Sequence, residues 1–191
     1  MVQAPNTLDP RIGLANAGPI DSPENGFDKR FWVGVGPPPA HLLVSVVEPK
    51  PKGVCPAGTV VVLHGAYYRS EDMIAPAQAL ASRGYRAVLV DLRGHGQSSG
   101  DRITWGVQES ADLSQVIDVL QRNGLMTGGL GVYGYSFGAA TAIQLAARDR
   151  RVQAVVAIAP YSSLDDATRH IVRSRMPGAA MFADERWIAE M

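Results

Sequence analysis

The 191-residue chain predicts an α/β fold, a mostly parallel sheet with helices on both faces. Three observations carry that reading. Thr59-Val-Val-Val-Leu63 and Val152-Gln-Ala-Val-Val-Ala-Ile-Ala159 are almost wholly apolar runs rich in β-branched residues, the mark of strands covered on both faces. Between such runs lie helical stretches with one apolar face, clearest at Leu113, Val116, Ile117 and Leu120. Leu130-Gly-Val-Tyr133 leads through Gly134-Tyr-Ser-Phe-Gly138 into the alanine-rich segment Ala139–Ala147, so strand, tight turn and helix follow in succession.

Taken in order, residues 1–30 carry Pro, Gly, Asn and Asp without hydrophobic period and read as a flexible arm. Phe31–Val35 reads as a first strand or an apolar plug. His41–Val47 reads as a strand closed by Glu48-Pro-Lys-Pro-Lys-Gly53, and the two runs are expected to pair as an antiparallel edge. From Thr59 the rhythm becomes strand, loop, helix. His64–Ser70 is the first loop, and Glu71–Ser82 a helix stopped by Gly84. Tyr85–Val90 is the next buried strand, followed by the loop Asp91–Ser98 and a helix from Val107 to Arg122. Val152–Ala159 is the last strand, and Tyr161–Ser174 reads as helical up to Pro177-Gly178. The expected organisation is an arm (1–30), a core (31–175), and a closing segment (176–191) that begins a cap or a terminal helix.

Composition excludes several function classes. Hydrophobic residues make up 46% and charged residues 19%, which suits a globular domain with a sizeable core. A formal net charge of zero gives nucleic acid no electrostatic footing. No stretch is apolar enough for long enough to span a bilayer, and the start lacks a signal-peptide pattern, so no membrane partner and a cytoplasmic location are expected. The lone Cys55 has no disulfide partner and sits in a Pro/Gly-rich turn.

Three motifs carry chemistry: His64-Gly65 after one strand, Asp91-x-Arg-Gly-His-Gly-x-Ser98 after the next, and Gly134-x-Ser-x-Gly138 after the third. Each alone is common. In this order, over roughly Leu42–Ser174, the sequence resembles the α/β-hydrolase superfamily, most closely its serine aminopeptidase, monoacylglycerol-lipase-like and small esterase members. The resemblance implies a serine nucleophile, a histidine base, an acidic residue that orients it, and neither metal nor cofactor.

On that basis Ser136 is the expected nucleophile rather than a mere helix cap. The glycines at 134 and 138 are required because side chains there would strike the neighbouring strand and helix. Attack on a carbonyl creates an oxyanion that needs donors already in place. The backbone N–H of Phe137 is the first expected donor, and that of Ala66 the second. Tyr67 is the alternative, through its N–H or its hydroxyl. His64 and His95 are set aside as bases, since the resemblance gives both a structural job in the loops beneath the site. Gly129-Leu-Gly-Val-Tyr-Gly134 fits the dinucleotide fingerprint but precedes its strand instead of following one, so a nucleotide role is rejected.

The family's acid and histidine follow two later strands, and each strand with its crossover takes about 30 residues. About 60 residues or more are therefore expected to be absent, and the hydrolase core is expected to be incomplete at its C-terminal edge. After Ser136 the only histidine is His170, and Asp165 and Asp166 are the acids nearest a strand end. His170 and Asp166 are four apart on one expected helix, where they form a surface pair as readily as part of a triad. The expectation is a serine hydrolase cleaving a carboxylic ester or small amide through an acyl-enzyme on Ser136, inactive as this chain alone. The rival is a non-catalytic protein that keeps the pocket for binding. Val152–Ala159 is too apolar for an open edge, so the closing segment, further sequence or self-association is expected to cover it.

Overall fold

The computed structural model describes residues 2–3, 26–163 and Asp165. Asp166, His170 and the segment 176–191 lie outside the described residues, as does most of the arm. Strand β1 (Val2–Gln3) pairs antiparallel with β6 (Arg102–Ile103). The main sheet has six strands: β2 (Lys29–Val35), β3 (Ala40–Val47), β4 (Gly58–Leu63), β5 (Arg86–Val90), β7 (Gly129–Tyr135) and β8 (Val152–Ile158). Their order is β2-β3-β5-β4-β7-β8.

The expected antiparallel edge is present: β2 pairs with β3, which pairs antiparallel with β5. The strands β5, β4, β7 and β8 are parallel throughout. Their register aligns Leu63 with both Val90 and Gly134, and Gly134 with Ala157, so the four parallel strands end on one crest. β2 opens at Lys29, two residues inside the expected arm, and Phe27 is already buried.

Helices cover both faces, as expected. On one face α1 (Ile74–Ser82) packs with Met73, Ala77 and Ala81 against Val47, Val62 and Leu89. On the other, α2 (Val107–Arg122) and α3 (Phe137–Arg148) cover Val44, Val61, Val88 and Val132. Leu113, Val116, Ile117 and Leu120 are all fully buried, which makes the apolar stripe of α2 its main tie to the sheet. Each such side chain contributes about 1.5–3 kcal/mol by transfer.

The single helix expected over Glu71–Ser82 is divided. A 3₁₀ turn occupies Ser70–Met73, and α1 starts at Ile74. Pro76 explains the break, because a proline ring strikes the carbonyl four residues back and so belongs in the first turn of a helix. Asp72 accepts the N–H of Arg69 at 2.9 Å, and Asp91 accepts that of Ser70 at 2.6 Å, which satisfies the tighter turn.

β8 ends the sheet. Among the described residues no strand pairs with its outer side, and Val156 and Ile158 remain 52% and 40% exposed.

Candidate active site

The crest is shaped around Ser136. The residue ends β7 and caps α3 with φ 51° and ψ −113°, a left-handed backbone that a non-glycine residue rarely holds. Ser136 N–H donates to the carbonyl of Ile158 at 2.9 Å, while its own carbonyl accepts from Ala139 and Ala140. The turn is therefore pinned to β8 on one side and to α3 on the other. The flanking glycines are demanded by contact. A Cβ on Gly134 would lie 2.2 Å from the Gly138 carbonyl oxygen, and one on Gly138 would lie 2.6 Å from the carbonyl oxygens of Leu63 and His64.

The loop after β4 faces this serine. A Cβ on Gly65 would sit 3.5 Å from Cβ of Ser136 and 3.2 Å from the Tyr135 ring. Ser136 itself is half-buried. Phe137 N–H is the first of α3 and has no intrahelical acceptor available to it. Among the described residues the N–H of Ala66 also has no acceptor, whereas Tyr68 N–H closes a turn to Gly65 at 3.2 Å. Tyr67 holds φ 64° and is 68% exposed. The turn at Ser136 and the loop carrying Ala66 thus meet at Gly65, and among the described residues neither the Phe137 amide nor the Ala66 amide has an acceptor.

Beneath them lies a buried polar layer. His64 accepts the N–H of Leu92 on Nε2 at 2.9 Å, so Nδ1 carries the proton and donates to the Gly65 carbonyl at 2.8 Å. Both nitrogens are committed. Burial pushes this imidazole down to about 4, with only a partial counter-pull from its bond to Gly65. His95 donates from Nδ1 to the Arg93 carbonyl at 2.9 Å, stacks on Phe137 at 5.5 Å, and is also held neutral by burial. Asp91 accepts from Ser70 N–H at 2.6 Å and Gln97 N–H at 2.8 Å. Its carboxylate fills the space a Cβ on Gly96 would need. Arg93 grips Asp112 with two bonds at 2.7 and 2.8 Å and donates to the Pro38 carbonyl at 2.8 Å.

The sequence reading passed over several residues of this layer. Asp112 and Glu109 sit fully buried on α2. Glu109 accepts from the N–H groups of Thr104 and Gly106 at 2.8 Å each and from the Thr104 hydroxyl at 2.7 Å. A Glu at the third helical position is a capping signal legible in sequence; the Arg93–Asp112 pair has no such signal. Trp105, at φ 57°, meets Phe137 and Tyr161 edge-on at 5.7 and 6.1 Å. Burial raises the Tyr161 hydroxyl to about 12, and it has no partner among the described residues.

No acid–base pair is brought to Ser136 among the described residues. His41 lies on β3, three strands from β7. Asp165 is an exposed helical residue, and Asp166 and His170 fall outside the description.

Known proteins match this arrangement. Residues 40–184 match the profile of a family described as X-Pro dipeptidyl-peptidase (S15 family). An uncharacterized protein of Bacillus subtilis, YqkD, is 27% identical over 123 residues, covering 62% of this chain and 40% of its own length. An esterase of Pyrococcus furiosus superposes with a TM-score of 0.66 at 24% identity, over 84% of this chain and 64% of the other. A serine hydrolase without lid from Xanthomonas campestris gives 0.57 at 25% identity, over 71% and 63%. The chain thus spans less than two thirds of the length of each. The fold is that of the α/β-hydrolase superfamily implied by the motifs.

Proposed function

The chain belongs to the X-Pro dipeptidyl-peptidase family (S15 family), and from that membership we propose that it forms the Ser136-bearing part of a serine hydrolase. The bond cleaved is a carboxylic ester or a small amide. One observation carries the reading: the left-handed Ser136 opposes a loop whose Ala66 amide, like that of Phe137, has no acceptor among the described residues.

In the reaction Oγ of Ser136 adds to the carbonyl carbon and its proton passes to a base. The carbonyl oxygen takes up negative charge between the amides of Phe137 and Ala66, the former at the positive end of α3. Collapse expels the alcohol or amine, which leaves with the proton and an acyl group on Ser136. Water then attacks the ester so formed, by the same steps in reverse roles. His64 and His95 hold the loops and do not move the proton. The first has both nitrogens engaged, and the second lies fully buried against Phe137. His170, the one histidine after Ser136, lies outside the described residues and is the candidate base that the sequence offers.

The rival reading, a binding protein without chemistry, is favoured by the absence of a base among the described residues around Ser136. Hydrolysis of p-nitrophenyl acetate and of an aminoacyl p-nitroanilide separates the two. Turnover that falls at least ~100-fold in both Ser136→Ala and His170→Gln supports the hydrolase acting through this pair. Turnover lost with Ser136→Ala but kept in His170→Gln keeps the nucleophile and rejects that base. A rate unmoved by either substitution in folded protein overturns the proposal and leaves the binding role.

A further inference from the structure

Large apolar side chains scattered singly in water need no explanation, but several gathered beside a reactive group mark a binding surface. Tyr68 and Tyr135 are 49% and 41% exposed, and both stand next to Ser136. The bare side of Gly65 shows how close they come. A Cβ there would lie 3.2 Å from Cδ1 of Tyr135, 3.3 Å from Cδ2 of Tyr68 and 3.5 Å from Cβ of Ser136. One point in space therefore borders both rings and the carbon that carries the expected nucleophile. Glycine keeps that point free. Ile158, the register partner of Tyr135 on β8, is 40% exposed and extends the apolar surface on the same face of the sheet.

The two rings form a corner. Their centroids are 6.4 Å apart and their planes meet at 90°, so one ring turns its edge to the other. A ring face carries negative charge density and a ring edge positive. A third ring can therefore stack offset on one wall and meet the other edge-on, which a saturated ring of the same bulk cannot do. The loop after β4 is bent to hold Tyr68 in this place. Tyr67 takes φ 64°, and Tyr68 N–H donates to the Gly65 carbonyl at 3.2 Å, which folds the chain back beside the serine turn. Backbone strain of that kind clusters where a ligand is clamped.

We propose that the corner between Tyr68 and Tyr135 is a specificity site for a single aromatic ring of the substrate, held beside the carbonyl that Ser136 attacks. The proposal deepens the hydrolase reading, and its role in turnover rests on that reading. Either the acyl part or the leaving part of an ester or small amide can supply the ring, and the chemistry that recognises it is the same for both. An aliphatic group would cover the tyrosines without using the electrostatics of their rings.

The test is binding to the Ser136→Ala chain, which needs neither a base nor turnover. Tyrosine rings labelled with ¹³C are followed by NMR during titration with two matched pairs of probes. Phenylacetamide against cyclohexylacetamide reads the acyl side, and N-benzylacetamide against N-(cyclohexylmethyl)acetamide reads the leaving side. Saturable shifts of the Tyr68 and Tyr135 rings, with a phenyl probe at least ~3-fold tighter than its saturated partner, support the site. The tighter of the two phenyl probes tells which part of the substrate carries the ring. Tyr68→Leu and Tyr135→Leu, at exposed positions, assign the two rings and keep apolar cover, and each is expected to bring the phenyl preference close to one. A smaller preference in the parent, no shift of either ring up to about 5 mM, shifts confined to other tyrosines, or a preference unchanged in both leucine variants overturns the proposal. Failure of the hydrolase reading is a separate result. A chain that prefers the phenyl probes but shows no Ser136-dependent turnover of p-nitrophenyl acetate keeps the corner as a binding site and loses the hydrolase.

Discussion

Placing a methyl group on Gly134 tests how Ser136 is held. The added Cβ would lie 2.2 Å from the Gly138 carbonyl oxygen, 2.5 Å from its carbon and 2.7 Å from Cα of Ala139. Ordinary contact begins at 3.4 Å, and all three atoms are backbone, so no side chain can swing away. The first turn of α3 has to retreat from β7 by about 1 Å. It is held there by Phe137, which is fully buried, and by the bond from Ser136 N–H to Ile158. Overpacking of this kind costs about 1–3 kcal/mol, and a clash with three backbone atoms belongs at the upper end. With a urea slope of about 2 kcal/mol/M, a loss of ~3 kcal/mol lowers the midpoint by about 1.5 M. The control is Gly131→Ala in the same strand, whose Cβ would meet its nearest neighbours at 3.7 and 3.8 Å. It should move the midpoint little or raise it slightly, since replacing a strand glycine recovers about 0.5–1 kcal/mol. A Gly134→Ala midpoint within ~0.3 M of the parent, or an equal loss in Gly131→Ala, would refute the close-approach argument.

Two further outcomes follow from the buried layer under the site. His64 titrates near 6.5 when unfolded and is held down to about 4 when folded, so its contribution to stability is complete above pH 6.5 and is lost as pH falls toward 4. The loss is roughly 3 kcal/mol, with His95 adding in the same direction. Urea midpoints measured across that window should flatten in His64→Gln, and an unchanged slope would count against the assignment. Asp112→Ala leaves the guanidinium of Arg93 unpaired at 3% exposure and should cost about 3–5 kcal/mol. Combining it with Arg93→Met should recover much of that loss in the same unfolding assay; equal destabilisation in the double variant would sink the pairing argument.

The parts of the fold that were legible in sequence are those set by short-range rules. Thr59–Leu63 declares itself because a strand buried on both faces has no polar alternation to hide in; Val152–Ile158 is a strand as its apolar run predicts, but its residues are exposed or only partly buried in the described structure. The turn at Ser136 declares itself because two glycines at fixed offsets answer two close approaches. Pro76 was also visible, and reading it as a first-turn residue would have moved the start of α1 to Ile74. The long-range polar contacts were not legible. Asp112 and Glu109 share α2 with its apolar stripe, and only the loops arriving from 93 and 104 make their burial tolerable. His41 likewise reads as an ordinary strand residue until its register partner proves to be Gly34.

The backbone conveys one thing that composition cannot. Four non-glycine residues among those described hold left-handed φ angles: Tyr67, Trp105, Ser136 and Ala159. They come from four separate segments. Tyr67 follows β4, Ser136 ends β7, Ala159 follows β8, and Trp105 precedes α2 while touching Phe137. All four therefore converge on the crest where the parallel strands end. Each such conformation costs on the order of 1–3 kcal/mol and persists only where the surroundings over-determine it. Scattered strain would suggest four unrelated loops. Strain concentrated around one half-buried hydroxyl instead indicates a single requirement, to which the layer of His64, Asp91, Arg93 and Glu109 beneath is fitted. The turn at Ser136 is then the feature to which the rest of the crest is fitted, and relaxing any one of the other three should be felt there first.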